Sequence, residues 1–173
     1  TDSPQGTRDV AWNEALCNAA KALAHDLEVE TVLDRLVGTV RTMARSDEGA
    51  ILLIDGDRAR VVRMYGGIEP AVSPKEARSY PLEGGILAQT AAERRPVLAS
   101  GTQRQQTQAS SIDGTNRQSL LTVPLCVDDA LLGFVVVASR RPNAFGSQSV
   151  RELEIIASLA AAALQNARLF ESL

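Results

Sequence analysis

Few residues in this 173-residue chain could carry out chemistry. There is one histidine, His25, and there are two cysteines, Cys17 and Cys126. Two cysteines are too few for a disulfide framework and lack the close spacing of a zinc site. Reduced thiols in a cytoplasmic setting are the expectation. A single histidine removes most metal, Ser/His and Cys/His options at once, and serine without a nearby base is not a substitute nucleophile. The carboxylate pairs Asp55/Asp57 and Asp128/Asp129 sit in short breaks between apolar runs, where aspartate is an ordinary turn residue. What remains is binding chemistry. Arg63 and Arg117 could clamp a carboxylate or phosphate, with Tyr65 as a further polar group. Gly84 and Gly85 either let backbone approach a ligand or serve a turn that needs positive φ.

The composition narrows the class further. Lys plus Arg number 18 and Asp plus Glu 21, a net charge of −3, with 45% hydrophobic, 23% charged and 3% aromatic residues. These are globular values for one domain. The mild acidity argues against a nucleic-acid footprint, and the scarcity of aromatics argues against a base-stacking surface. Thr1 to Gly6 is polar and unlike a secretory signal. The longest apolar run, Leu131 to Ala138, has strand length, so no membrane span is expected. Residues 1–9 read as a disordered lead-in and residues 10–173 as a single domain.

Periodicity then supplies the elements that must position any site. Leu16, Ala20, Leu23 and Leu27 mark a helix near 10–25, and Val29, Leu33, Leu36, Val40 and Met43 a second near 29–45. GAILLID (49–55) and RARVVRMY (58–65) flank Gly56 as a β-hairpin. A short helix follows near 86–93, then a brief strand, Pro96 to Ala99. Ser100 to Gln118 is rich in glutamine, and loops of that length in compact domains are commonly lids, binding loops or disordered segments. SLLTVPLC (119–126) and LLGFVVVASR (131–140) form a second hairpin. Pro124 belongs at an edge or bulge, and Gly133 lets another element approach closely. Ser147 is placed as the cap of a long last helix with two apolar stripes. One is Leu153, Ile156, Ala160, Ala163, Ala167 and Phe170; the other is Ile155, Leu159, Ala162, Asn166, Leu169 and Leu173. Two apolar sides need two surfaces to cover them. The layout is α+β, an antiparallel sheet with its terminal helices on one face.

In order and spacing these pieces resemble the GAF domain, a small-molecule-sensing module of signalling proteins. The resemblance runs over residues 16–170. It is carried by Gly49 to Asp55 as first strand, Tyr80-Pro81-Leu82-Glu83-Gly84-Gly85-Ile86, Arg95-Pro96-Val97-Leu98, Ser119 to Leu125, Leu132-Gly133-Phe134-Val135, Phe145, and Gln165 to Phe170. It implies a six-stranded antiparallel sheet, N- and C-terminal helices on one face and a ligand pocket on the other, under residues 66–95 and 100–118. The expected role is a non-catalytic sensor of a bacterial signalling protein, cytoplasmic, with no cofactor and no membrane or nucleic-acid partner. An unidentified small-molecule effector would be read out through a homodimer of the terminal helices. Expected ligand-binding residues are Arg63, Tyr65, Gly85, Ile86, Arg117, Ser119 and Leu121. The expected dimer interface is Leu153, Ile156, Ala160, Ala163, Ala167 and Phe170 with Leu16 and Leu23.

Other family chemistries fit less well. The Asn-Lys-Phe-Asp-Glu signature of cyclic-nucleotide binders is present only as Asn143 and Phe145, leaving Phe145 as a core plug under the last helix. Neither cysteine has the neighbouring histidine common at bilin sites, and His25 lies away from the expected pocket, so a bilin or haem is not expected. A free methionine sulfoxide reductase needs a nucleophilic and a resolving thiol before the 119–126 strand. Ser110, Ser111 and Ser119 stand there instead. The alternative readings are a structural dimerisation module without ligand and a cyclic-nucleotide-binding domain.

Overall fold

The computed structural model describes residues 28–66, 79–100 and 118–171. The expected first helix, with Leu16, Cys17, Leu23 and His25, lies outside them, as do Arg117 and most of the glutamine-rich segment. The elements are α1 (Val29–Ala44), β1 (Glu48–Asp55), β2 (Arg58–Tyr65), β3 (Ser79–Pro81), α2 (Gly85–Glu93), β4 (Val97–Ser100), β5 (Ser119–Val127), β6 (Ala130–Ser139) and α3 (Ser147–Glu171). All strand pairs are antiparallel, in the order β3-β2-β1-β6-β5-β4.

The two hairpins form where the turn residues put them. Gly56 takes φ 65° between β1 and β2, and Asp128 takes φ 50° between β5 and β6. Pro124 sits opposite Phe134 on β6, two residues beyond Thr122, where the β4 pairing ends, so on the β4 side it has no neighbouring strand. A bulge follows at Leu125/Cys126. At Gly133 an added Cβ would lie 2.0 Å from the Leu52 carbonyl oxygen, so β6 can pair this closely with β1 only as glycine. β3 has three residues, too short to show a period, and was not expected from the pattern.

The sheet has two covered faces. On one, α1 packs over β1 and β2 while α3 lies beside α1 and over β5. Here Ile51, Leu53, Leu121, Val123, Leu125, Val135 and Val137 meet Leu33, Leu36, Val40, Leu153, Ala157, Ala161 and Leu164. Phe145 is buried in this cluster, as a plug beneath the start of α3. On the other face α2 covers Ala50, Leu52, Ala59, Leu120, Phe134, Val136 and Ala138 with Ile86 and Leu87. α3 starts at Ser147 itself, one position earlier than a Ser147 cap would require. By length and apolar content α3 alone among the described helices could cross a membrane. Much of that apolar content is alanine, and Ala157, Ala160, Ala161, Ala163 and Ala167 are buried against the rest of the domain.

Candidate functional site

The face under α2 is the candidate effector surface, and it is built from small residues. Ala50, Ala59, Ala99 and Ala138 line it between larger Leu52, Leu120 and Phe134. α2 enters it through Gly84 and Gly85, both at positive φ of 75° and 76°, which turn the chain so that Ile86 and Leu87 point down onto the strands. The Thr90 hydroxyl on α2 donates to the Ile86 carbonyl at 2.7 Å. Thr122 is different. It is fully buried in β5, between Val97 of β4 and Val136 of β6, and its hydroxyl has no hydrogen-bond partner. Buried hydroxyls are nearly always paired, so an orphan on the candidate face invites a ligand's polar group. The ends of β2, β4 and β6 and the starts of β1 and β5 all lie at one edge of the sheet, by register. The connections 67–78 and 101–117 leave from that edge.

The structure places several expected ligand residues elsewhere. Ile86 and Gly85 lie on the α2 face. Arg63 and Tyr65 do not. A bulge in the β1–β2 pairing between Ile51 and Leu52 shifts the alternation of β2 by one residue. Arg63 therefore stands opposite Ile51 on the helix face, donating from Nε to Asp34 at 2.7 Å and pairing with Glu30, both on α1. Those two carboxylates hold its guanidinium firmly charged. Tyr65 is opposite Gly49, and an added Cβ at Gly49 would come within 2.2 Å of its ring. The ring thus lies over a glycine on the helix face, its hydroxyl bonded to Ser46 and Arg41 stacked 5.9 Å from its centroid. Burial raises the Tyr65 phenol above its ordinary value, with the Ser46 bond opposing. Leu121 is fully buried in the helix-face core. Ser119 is a structural fastener: its hydroxyl donates to the Arg141 carbonyl at 2.6 Å and accepts from the Ala144 N–H at 3.1 Å. It ties β5 to the loop before α3.

Neighbouring polar groups secure the same edge. Asp47 accepts from the Arg140 N–H at 2.8 Å and from the Ser139 hydroxyl at 3.2 Å, joining the start of β1 to the end of β6. The Arg140 N–H holds its carboxyl below the usual range. At the other edge, Cys126 is half-buried, with Arg94 Nη1 at 3.9 Å; Nη1 also donates to the Asp129 carbonyl at 3.1 Å. Among the described residues no three His, Cys, Asp or Glu side chains gather as a metal-ligand set. A cleft of about 550 Å³ opens between the end of α1 and the start of α3, lined by Met43, Arg45, Arg141, Gln148 and Glu152 among others.

The expected dimer stripe also needs correcting. Leu153, Ala160, Ala163 and Ala167 are buried within the chain, and Ile156 partly so, because α3 turns this side to β5 and α1. Of that stripe Phe170 alone is exposed. The outward side is the other one: Ile155 is 51% and Leu169 60% exposed, with Ala162 and Asn166 exposed and Leu159 half-buried.

Comparison with known proteins agrees with this architecture. A family model for the GAF domain matches residues 26–165. The anaerobic nitric oxide reductase transcription regulator NorR of Aeromonas hydrophila is 26% identical over 161 residues, which is 92% of this chain and 32% of the regulator. NorR of Vibrio vulnificus is 27% identical over 148 residues, 81% of this chain and 28% of that protein. The chain thus spans about a third of the length of these curated relatives. Among solved structures, the GAF domain of an Acinetobacter phosphoenolpyruvate-protein phosphotransferase superposes with TM-score 0.73 at 16% identity, covering 92% of this chain and 95% of that one. Free methionine-R-sulfoxide reductase from Neisseria meningitidis gives TM-score 0.73 at 15% identity, over 98% of this chain and 95% of that one. At such identities the likeness is one of fold. With the family model spanning most of the chain and the six-stranded sheet matching in topology, the chain belongs to the GAF domain family.

Proposed function

We propose that this domain is a non-catalytic sensor. It binds a small-molecule effector on the α2 face of the sheet and passes the change through α1 and α3, paired across a homodimer, to an output domain of a larger signalling protein. The regulators it resembles are transcription regulators of about three times its matched length, which supports a sensory segment coupled to an output. The observation that carries the ligand part is the Thr122 hydroxyl, buried without a partner on the candidate face. A compact effector with a single polar group among apolar surfaces matches the small residues around it. Against catalysis, Ser119, where a reductase would need a thiol, is engaged in fastening the loop before α3.

The test is a thermal-shift screen of the chain against small metabolites, including cyclic AMP, cyclic GMP and methionine sulfoxide. An effector at 100 times its Kd adds about 2.7 kcal/mol, a shift of several degrees. The expected hit loses about 1 kcal/mol, roughly a third of its effect, in Thr122→Val while the variant stays folded. A screen in which no compound shifts the melting temperature, with no change confined to the α2 face in amide spectra, refutes ligand sensing and leaves a dimerisation module. Turnover of methionine sulfoxide with a thiol reductant refutes the non-catalytic reading.

A further inference from the structure

The cleft between the end of α1 and the start of α3 lies on the helix side of the sheet, away from the α2 face. Its volume of about 550 Å³ is that of a small-molecule site. Its charged lining is Arg45, Arg141 and Glu152, a cationic excess in a chain of net charge −3. Neither guanidinium forms an ion pair or a hydrogen bond among the described residues. Glu152 accepts instead from the Gln148 amide of its own helix, at 3.1 Å. Asp47, whose carboxyl the Arg141 charge also reaches, accepts from the Arg140 N–H and the Ser139 hydroxyl rather than from either guanidinium. We propose that this cleft is a second ligand site, for a small organic dianion carrying a phosphate ester or a pair of carboxylates. The site goes beyond the sensor reading above and does not depend on the α2 face.

The surroundings hold the two arginines in place. Arg141 is fixed through its backbone: its N–H donates to the Ser139 hydroxyl at 3.2 Å, and its carbonyl accepts from the Ser119 hydroxyl at 2.6 Å. The same Ser119 oxygen accepts from the Ala144 N–H at 3.1 Å, so one side chain positions two lining residues. Arg45 is set by the end of α1, where it takes φ 49° as the chain leaves the helix. What is left to reach a ligand is the two guanidinia, each a planar fork of donors that matches phosphate or carboxylate. Ser149 adds a hydroxyl, and Met43, Ala44 and Ala144 add an apolar wall. An anion clamp beside an apolar wall suits a charged group borne on a small organic body. A ligand gripped by both arginines joins the end of α1 to the start of α3, and so favours one spacing of the two helices.

The experiment titrates the 173-residue chain with phenyl phosphate, succinate and acetate at constant ionic strength, read by amide chemical shifts. Phenyl phosphate or succinate, at up to about 10 mM, should shift signals from residues 42–45 and 148–152, and the tighter of the two names the source of the dianion. Acetate should bind at least about tenfold more weakly. Arg45→Gly removes a guanidinium at a positive φ that glycine adopts freely, so the variant folds, and its Kd for the dianion should rise about tenfold. Arg141→Gln leaves the backbone bonds untouched and should do the same. Glu152→Gln removes the like charge and should lower the Kd by about threefold. Arg60→Gln, at an exposed β2 position outside the cleft, should change nothing. The proposal is overturned if neither dianion shifts these signals, or if acetate binds as well as they do. Unchanged affinity in both Arg45→Gly and Arg141→Gln overturns it too, as does an equal loss in Arg60→Gln, which would mean attraction to charge at large. Shifts confined to the α2 face would move the ligand to Thr122 and likewise end it.

Discussion

Thr122→Val separates the two roles a buried hydroxyl can have. The residue is fully buried with no hydrogen-bond partner, so its hydroxyl carries an uncompensated desolvation cost of about 1–3 kcal/mol. Valine puts a methyl where the hydroxyl was. Its neighbours across the sheet are Val97 and Val136, and valine and threonine are both good strand residues. Relief of the desolvation cost therefore dominates, and the variant should gain about 1–2 kcal/mol. At about 2–4 °C per kcal/mol for a domain of this size, that is a rise of about 2–8 °C in melting temperature. Thr122→Ser keeps the hydroxyl and deletes a buried methyl, so it should lose about 1 kcal/mol and give a control of opposite sign. Urea denaturation with an unchanged slope would show that the native state moved rather than the unfolded one. A fall in stability for Thr122→Val of 1 kcal/mol or more would refute the reasoning, because it would mean the hydroxyl already has a partner. The stabilised variant should also be the poorer sensor. Losing one hydrogen bond to an effector costs about 1 kcal/mol, or roughly fivefold in affinity.

Other expectations follow from the same geometry. Arg63→Ala should lower stability by no more than about 1 kcal/mol in denaturant titration, since its partners Glu30 and Asp34 are 74% and 68% exposed, and it should leave effector affinity unchanged. Gly133→Ala drives a Cβ into the Leu52 carbonyl and should cost at least about 2 kcal/mol, read as a lowered urea midpoint or insoluble expression. Ala160→Arg should fail to fold because the site is 1% exposed, whereas Ala162→Arg should fold with a native circular dichroism spectrum and a reduced mass in light scattering. Asp47 titrates below its ordinary 3.8, so its contribution is present above that value and lost as pH falls through the lower folded one. The gap in melting temperature between wild type and Asp47→Asn should accordingly be constant from pH 7 to 5 and close below about pH 4.

The strands, hairpins and helices were legible because their signals are local. A period of two broken by Asp-Gly-Asp or Asp-Asp reports a hairpin, and glycine and proline report where chains approach or pairing stops. The α2 face was legible only through the family resemblance, and its residues only in part. What defeated Arg63 and Tyr65 is a single extra residue in β2. Alternation from Ala59 and Val61 puts both on the α2 face, but the bulge at Ile51/Leu52 turns them to the helices, and nothing in RARVVRMY marks it. One sign was available in retrospect: Tyr65 needs a small partner, and Gly49 supplies it. On α3 the two stripes are about equally apolar, and the larger side chains invite the wrong choice. The sheet took the alanine side instead. Ala157, Ala160, Ala161 and Ala167 let the helix come close to β5 and α1, while Leu153 and Leu164 fill the gaps. Bulkier Ile155 and Leu169 were left outside. Thr122 was missed because threonine in a strand is unremarkable until its partners are counted.

That arrangement also says how an event on one face would be felt on the other. β5 is the strand α3 rests on, and its side chains alternate: Thr122 points to the α2 face, while Leu121 and Val123 on either side point into the helix core. A ligand group that engages the Thr122 hydroxyl therefore acts on backbone whose adjacent residues carry α3. The edge where β5 begins is held by Ser119 to the loop leading into α3, and β1 to β6 by Asp47, so a displacement of β5 has a covalent and hydrogen-bonded route to the start of the helix. Such a route transmits nothing by itself. It becomes a switch only if α3 has two packings of similar energy that the effector distinguishes. An alanine-rich contact is suited to this, because small side chains make shallow ridges and a shift along them forfeits little interlocking. In the sensor reading, the side of α3 that looks poorest in packing is the side that allows it to move.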